Sequence, residues 1–165
     1  MPRIKLVIFD ADDVLFSSES DCYLGQIILP IRRVDEDTVE DSAGCRIRLD
    51  EEARNVLLEL KRRGIHASLD STNRRREAEE ILRMLELDEM FEHSRINFSD
   101  KGDNILEILK DFNEKDNMRV SPDEVMFIDD VEQFCLDAMR ALKGKGIVLQ
   151  MGRDISHLSE LLEML

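Results

Sequence analysis

The residues of this chain best suited to chemistry stand directly after short apolar runs. Asp10 closes Val7-Ile8-Phe9, and Asp12 follows two positions later. Ser71 and Thr72 come after a second apolar segment, Lys101 after a third, and the doublet Asp129-Asp130 is headed by Val125-Met126-Phe127-Ile128. Gathered carboxylates hold a hard divalent cation, which takes oxygen ligands. A hydroxyl and an ammonium beside such a cation suit an anionic ligand.

These residues need a scaffold that brings them to one place. Five short, mostly apolar segments read as strands: Ile4 to Phe9, Ile65 to Leu69, Arg95 to Phe98, Val125 to Ile128 and Gly146 to Leu149. Helical patterns lie between and after them. Glu51 to Arg63 carries Ala53, Val56, Leu57 and Leu60 on one face, with Asp50 and Gly64 as start and stop signals. Arg75 to Leu87, Gly102 to Glu114 (capped by Asp100), Val131 to Leu142 and Ile155 to Leu165 read as further helices. Alternating strands and helices argue for an α/β, three-layer sandwich: a five-stranded parallel sheet covered on both faces. Ligands of open α/β sheets bind at the C-terminal strand edge, where the acidic and hydroxyl residues fall. Residues 17–49 break the rhythm. Val39 to Leu49 reads as a β-hairpin around Asp41 to Gly44, and the whole stretch as a flap inserted into a single domain spanning 1–165.

Composition narrows the function. A formal charge of -14 argues against nucleic-acid binding, which needs phosphates neutralised by Lys and Arg. An anionic substrate therefore needs positive charge assembled locally, from a metal or a basic patch. Cys22, Cys45 and Cys135 are widely spaced, odd in number and free of Cys-x-x-Cys pairing. Reduced, mostly buried thiols are expected, rather than a disulfide framework or a thiolate zinc site. The run Ile4 to Phe9 is too short for a signal-peptide core or a membrane span, so no membrane association and a cytoplasmic location are expected.

The stretch Val7-Ile8-Phe9-Asp10-Ala11-Asp12-Asp13-Val14-Leu15 resembles the first motif of the haloacid dehalogenase-like phosphatases. Ser71 matches the second motif, Lys101 the third and Ile128-Asp129-Asp130 the acidic fourth, all in the family's order. The short insertion, the hairpin ending in Arg46-Ile47-Arg48-Leu49 and the helix after it most resemble the magnesium-dependent phosphatase subgroup. That resemblance implies a Rossmann-like fold with a small β-hairpin flap instead of a large cap domain.

It also implies a mechanism. Asp10 attacks phosphorus to form an aspartyl-phosphate, while Asp12 first protonates the leaving oxygen and then takes a proton from the hydrolytic water. Mg²⁺ offsets the repulsion between carboxylate and phosphate, held by Asp10, Asp129 and Asp130, with the backbone carbonyl of Asp12 added by resemblance alone. Lys101 lowers the cost of crowded negative charge, Ser71 donates to a phosphoryl oxygen, and amides near Thr72 and Asn73 bind the same anion at a helix start. The substrate implied is a phosphomonoester, such as a sugar phosphate or a phosphotyrosine-like group.

Plainer roles compete for several residues. Asp13 is expected to be exposed, and one of Asp129 and Asp130 to cap the helix at Val131 while the other, preferentially Asp130, binds metal. Ser68 competes with Ser71 but falls within the strand. Arg74-Arg75-Arg76 reads as a solvated helix start, and His66, His93 and His157 lack ligand spacing. Relatives often carry Arg after the motif serine, where this chain has Thr72, which bears on substrate preference. A receiver-type signalling domain is the alternative from another class, but its acidic pair follows the first strand whereas here the doublet follows the fourth. A non-catalytic phosphate-binding protein fits poorly with an intact Asp10 and Asp12.

Overall fold

The computed structural model describes residues 3–19, 22 and 24–165. In chain order the strands and helices are β1 (Leu6–Phe9), β2 (Phe16–Ser18), β3 (Arg32–Arg33), β4 (Thr38–Glu40), β5 (Arg46–Leu49), α1 (Ala53–Arg62), β6 (His66–Thr72), α2 (Arg75–Met84), β7 (Arg95–Asn97), α3 (Lys101–Asp116), β8 (Val125–Asp129), α4 (Glu132–Ala141) and β9 (Ile147–Gln150). The five segments expected as strands are strands, and they form one parallel sheet in the order β7-β6-β1-β8-β9.

Period-two alternation explains how the sheet is covered on both faces. Leu6 and Ile8 of β1 point to one side, into a cluster with Ile105, Ile108, Phe112, Ala138 and Leu142 of the α3–α4 layer. Val7 and Phe9 point to the other, where Val56, Leu57 and Leu60 of α1 and Ala78 and Ile81 of α2 meet them. All four β1 side chains are 0% exposed. Each contributes roughly 1.5–3 kcal/mol relative to exposure, so β1 is the rigid post on which the residue after it is mounted.

Local signals set the helix ends. The Asp50 carboxylate accepts from the Glu52 amide at 2.9 Å just before α1, and Gly64, at φ 73°, turns the chain out of it. Asp100 caps α3 by accepting from the Asp103 amide at 3.0 Å, and Asn117 ends it in the left-handed region at φ 51°. Gly102 lets α3 approach α4 closely, because a Cβ there would lie 3.0 Å from the Asp137 carbonyl oxygen. The C-terminal segment departs from the expected α-helix and forms a 3₁₀-helix over Leu158–Met164. Ile155, Leu158 and Leu161 are its buried residues, spaced by three, which matches a 3.0-residue turn better than a 3.6-residue one.

The flap is more elaborate than a hairpin. Around the turn from Asp41 to Gly44, β4 and β5 pair antiparallel, and β2 and β3 extend them to a four-stranded sheet in the order β2-β5-β4-β3. Buried Asp41 organises that turn. One of its oxygens accepts from the Ala43 and Cys45 amides at 2.9 and 2.7 Å, and the other from the Ile28 amide at 2.9 Å. Beside it Cys22 and Cys45 form a disulfide with Cα atoms 5.8 Å apart, which corrects the expectation of reduced thiols. The pairing comes from the way the flap folds back on itself, which the 23-residue spacing does not reveal. Cys135 is free and buried, and burial pushes its thiol up to about 12. Among the described residues, no helix is long and apolar enough to cross a membrane.

Candidate active site

The Asp10 amide donates to the Ile128 carbonyl at 2.9 Å, which locks the end of β1 to the end of β8. That one backbone bond brings Asp10 beside the Asp129-Asp130 doublet. A carboxylate oxygen from each of Asp10, Asp129 and Asp130 lies within 4.8 Å of the other two. The donors are all oxygen and all anionic, which suits a hard divalent cation. Burial, followed by the Asp129 charge, pushes Asp130 above the usual carboxylate range; for Asp10 burial acts first and Asp129 and Asp12 add to it. Charges crowded in this way are what a bound dication would relieve, so the residues fit a metal.

Lys101, the first residue of α3, is 1% exposed and points into the same space. Its ammonium donates to Asp10 Oδ1 at 3.0 Å and to the Asp70 carbonyl, and it lies 3.0 Å from Asp129 Oδ2. Burial works against the charge, but Asp10, Asp129 and Asp70 together hold it above the usual lysine range. The Phe134 ring, in the first turn of α4, covers the ammonium at 5.0 Å from its centroid.

Asp12 reaches this rim two residues past Asp10, just before the chain turns at Asp13. The turn is closed by the Ala11 carbonyl, which accepts from the amides of Val14, Leu15 and Phe16 at 3.3, 2.9 and 3.3 Å. Asp12 Oδ2 accepts from Asn73 Nδ2 at 2.9 Å, while its buried Oδ1 has no partner. Burial and then the neighbouring Asp13 raise the Asp12 carboxyl to about 6, with Lys101 and the Asn73 bond pulling the other way. It is therefore a group able to gain and lose a proton near neutrality. Its side chain stands outside the three-carboxylate cluster. Asp13 is exposed at φ 62°, a conformation Asp tolerates, as expected for a loop carboxylate.

Ser71 is 1% exposed and its buried Oγ has no hydrogen-bond partner, a donor waiting for an acceptor. Ser68 sits inside the strand opposite Ile8, away from the C-terminal edge. Thr72, half-buried, ends β6. The side chain of Asn73 is committed to Asp12 and to the Arg74 amide, which its Oδ1 accepts at 2.7 Å, so it orients a carboxylate as well as opening α2. Asp129 Oδ1 accepts from the Val131 amide at 3.0 Å. Its other oxygen faces Lys101, so of the doublet it is Asp130 whose oxygens stay clear of both roles.

The arginine run divides: Arg74 donates to the Ile27 carbonyl at 3.2 Å and so ties α2 to the flap, while Arg75 pairs with Glu79 at 2.7 Å. His66, His93 and His157 pair with Glu92, Asp116 and Glu52 at 2.6, 2.6 and 3.9 Å, outside the carboxylate cluster. A cleft of about 400 Å³ opens beside the Asp12 loop, lined by Asp13, Phe16, Arg48 and Glu51 among others.

Two polar residues in the site escape sequence reasoning. Asp70 is fully buried, and burial raises it to about 7 against the opposing pull of Lys101 and of a bond from Asn104. Asn104, 2% exposed, donates to it at 2.9 Å. The available signal was a carboxylate inside an otherwise strand-like segment, Ala67-Ser68-Leu69-Asp70-Ser71.

A protein-family model described as Acid Phosphatase matches residues 2–159. Among solved structures, the N-terminal, phosphatase-domain-containing part of a Bacteroides fragilis protein, complexed with Mg, superposes with a TM-score of 0.67 at 19% identity. That match covers 97% of this chain but 39% of the other. A HAD-superfamily hydrolase from Ehrlichia chaffeensis gives 0.67 at 15% identity over 99% of this chain and 97% of that one. A HAD-superfamily hydrolase of subfamily IA from Geobacter sulfurreducens gives 0.65 at 18% identity, covering 98% and 100%. At these identities the likeness speaks for the fold. Among curated proteins none matches.

Proposed function

This chain belongs to the acid phosphatase family, and on that premise we propose that it is a Mg²⁺-dependent phosphomonoester hydrolase with Asp10 as its nucleophile. In this reading residues 1–165 act as one catalytic domain and 17–49 as its flap. The observation that carries the proposal is the meeting of Asp10, Asp129 and Asp130 within 4.8 Å, with Lys101 Nζ 3.0 Å from Asp10.

Asp10, Asp130 and the Asp12 carbonyl, with Asp129 alongside, would hold Mg²⁺, and the bound ion would supply positive charge against the repulsion between nucleophile and phosphate. The Asp10 carboxylate attacks phosphorus as the ester oxygen leaves with a proton from Asp12. Water then attacks the aspartyl-phosphate, Asp12 takes its proton, and inorganic phosphate and free Asp10 are regenerated. Ser71 Oγ and the amides at Thr72 and Asn73 bind phosphoryl oxygens, and Lys101 neutralises charge on them and on Asp10. The small flap leaves room for bulky leaving groups, so sugar phosphates and phosphotyrosine-like groups are the substrates to try first. The cytoplasmic setting expected from the sequence also belongs to this proposal. The Cys22–Cys45 bridge pulls against it, because disulfides are rare in reducing compartments.

Hydrolysis of an aryl phosphate with and without Mg²⁺, in the natural chain and in Asp10→Asn, tests the reading. Turnover should need the metal and be lost in the variant. Wild-type turnover in Asp10→Asn would remove the nucleophile, and a rate indifferent to chelation would remove the metal.

A further inference from the structure

Asp70 presents a puzzle that the phosphatase reading does not use. It lies in the middle of a buried strand at 0% exposure, and its Oδ2 has no hydrogen-bond partner. A buried carboxylate half satisfied in this way is costly, so something must be gained from the other half. Its Oδ1 accepts from Asn104 Nδ2 at 2.9 Å, and its backbone carbonyl accepts from the Lys101 ammonium. Lys101 and Asn104 are three residues apart, hence on the same face of α3. One residue of β6 therefore grips the first turn of α3 at both ends. Any residue could offer the carbonyl, but only a side chain with an acceptor there can hold Asn104.

The grip continues into β7. Asn104 Nδ2 also donates to Asn97 Oδ1 at 2.9 Å, and Asn97 Nδ2 returns a longer bond to Asn104 Oδ1 at 3.3 Å. Asn97 Oδ1 accepts in addition from the Ser99 amide at 3.0 Å, which shapes the link leading to the Asp100 cap. Two strands and the start of a helix are thus pinned at the point where Lys101 enters the site.

We propose that Asp70, Asn104 and Asn97 form a positioning unit that fixes the Lys101 ammonium against Asp10 and Asp129. The unit acts through geometry, since the lysine side chain is long and would otherwise sample several rotamers around three carboxylates. The catalytic part of the proposal rests on the phosphatase reading; the positional part does not.

The experiment compares Asn104→Ala, Asp70→Ala and Asp70→Asn, the last of which keeps an acceptor for Asn104. Two readouts are taken, Mg²⁺-dependent aryl phosphate turnover and the rate at which acetic anhydride acetylates Lys101, followed by mass spectrometry. Asn104→Ala and Asp70→Ala should lower kcat by at least ~10-fold, as misplacing a reacting group does, while Asp70→Asn stays within ~3-fold of the natural chain. Lys101 acetylation should rise at least ~5-fold in the two alanine variants, as expected when a buried amine is freed. In a Lys101→Met background, Asn104→Ala should cause no further loss, because the two act as one. Equal losses with and without Lys101, or Lys101 labelling unchanged in both alanine variants, would overturn the proposal. If labelling rises while even the natural chain hydrolyses no phosphoester, the positioning stands and the phosphatase reading falls.

Discussion

Replacing Asp12 by Asn should abolish turnover and yet stabilise the fold, in a pH-dependent way that follows from where Asp12 sits. Its carboxyl is raised from 3.8 to about 6. A shift of about 2 units is worth roughly 3 kcal/mol of preference for the neutral form. The folded pKa lies above the unfolded one, so full stability is present below the unfolded value near 4 and is lost as pH rises through about 6. Asn is neutral at every pH and keeps an acceptor for Asn73 Nδ2, so it avoids that loss. Its amide must still find a partner where Oδ1 has none, which reduces the gain to about 1–2 kcal/mol at pH 8. The linkage part is about half as large at pH 5 and small below pH 4, while the amide cost of about 1–2 kcal/mol is the same at every pH, so the net gain should be near zero at pH 5 and become a loss of about 1 kcal/mol at pH 4. Urea unfolding in EDTA from pH 4 to 8.5, fitted by linear extrapolation, measures it. Chelation matters, since a nearby dication would favour the ionised form and shrink the effect. An Asp12→Asn chain no more stable than the natural one at pH 8, or one with the same gain at pH 4, would refute the reasoning.

Lys101→Met leaves Asp10, Asp129 and Asp70 buried without their ammonium, and stability in EDTA should fall by about 3–5 kcal/mol; thermal melts should recover partly on adding Mg²⁺. Gly102→Ala sets about 1 kcal/mol of helix propensity against a Cβ 3.0 Å from the Asp137 carbonyl oxygen. Its melting temperature should move little, while kcat falls as Lys101 is pushed out of register. Reducing the Cys22–Cys45 bridge should lower stability by up to about 3 kcal/mol for a loop of this length, seen as a lower urea midpoint in dithiothreitol with no change in Cys45→Ser.

The central strands were legible because β1 is wholly apolar and β8 is apolar up to its closing Asp129, whereas β7, Arg-Ile-Asn, carries a weaker signal. Asp10, Ser71 and the Asp129-Asp130 doublet were legible as candidates because they stand at strand ends that share an edge, while Lys101 opens α3 beyond a three-residue link from β7. What the sequence concealed depends on contacts between distant segments. β3 is two arginines and looks like nothing until β4 pairs with it. The disulfide depends on a flap whose path is set by Asp41 and its three amide donors. Asp70 reads as a flaw in a strand, because the residue that gives it purpose, Asn104, lies 34 positions away.

The acidic balance of the chain and an anionic substrate are reconciled at short range. A net charge of -14 repels a phosphoester at a distance, but screening confines that repulsion to about 8–10 Å at ordinary ionic strength. Inside that distance the field is set by what is buried. There Lys101 is held above its usual range by three carboxylates, and the crowding of Asp10, Asp129 and Asp130 favours any dication that enters. The exposed carboxylates set the sign of the surface, while the buried ones gather positive charge around themselves. On the proposed reading the ammonium must not swing away, and the helix whose first residue is the lysine is anchored by its first turn to the neighbouring strand.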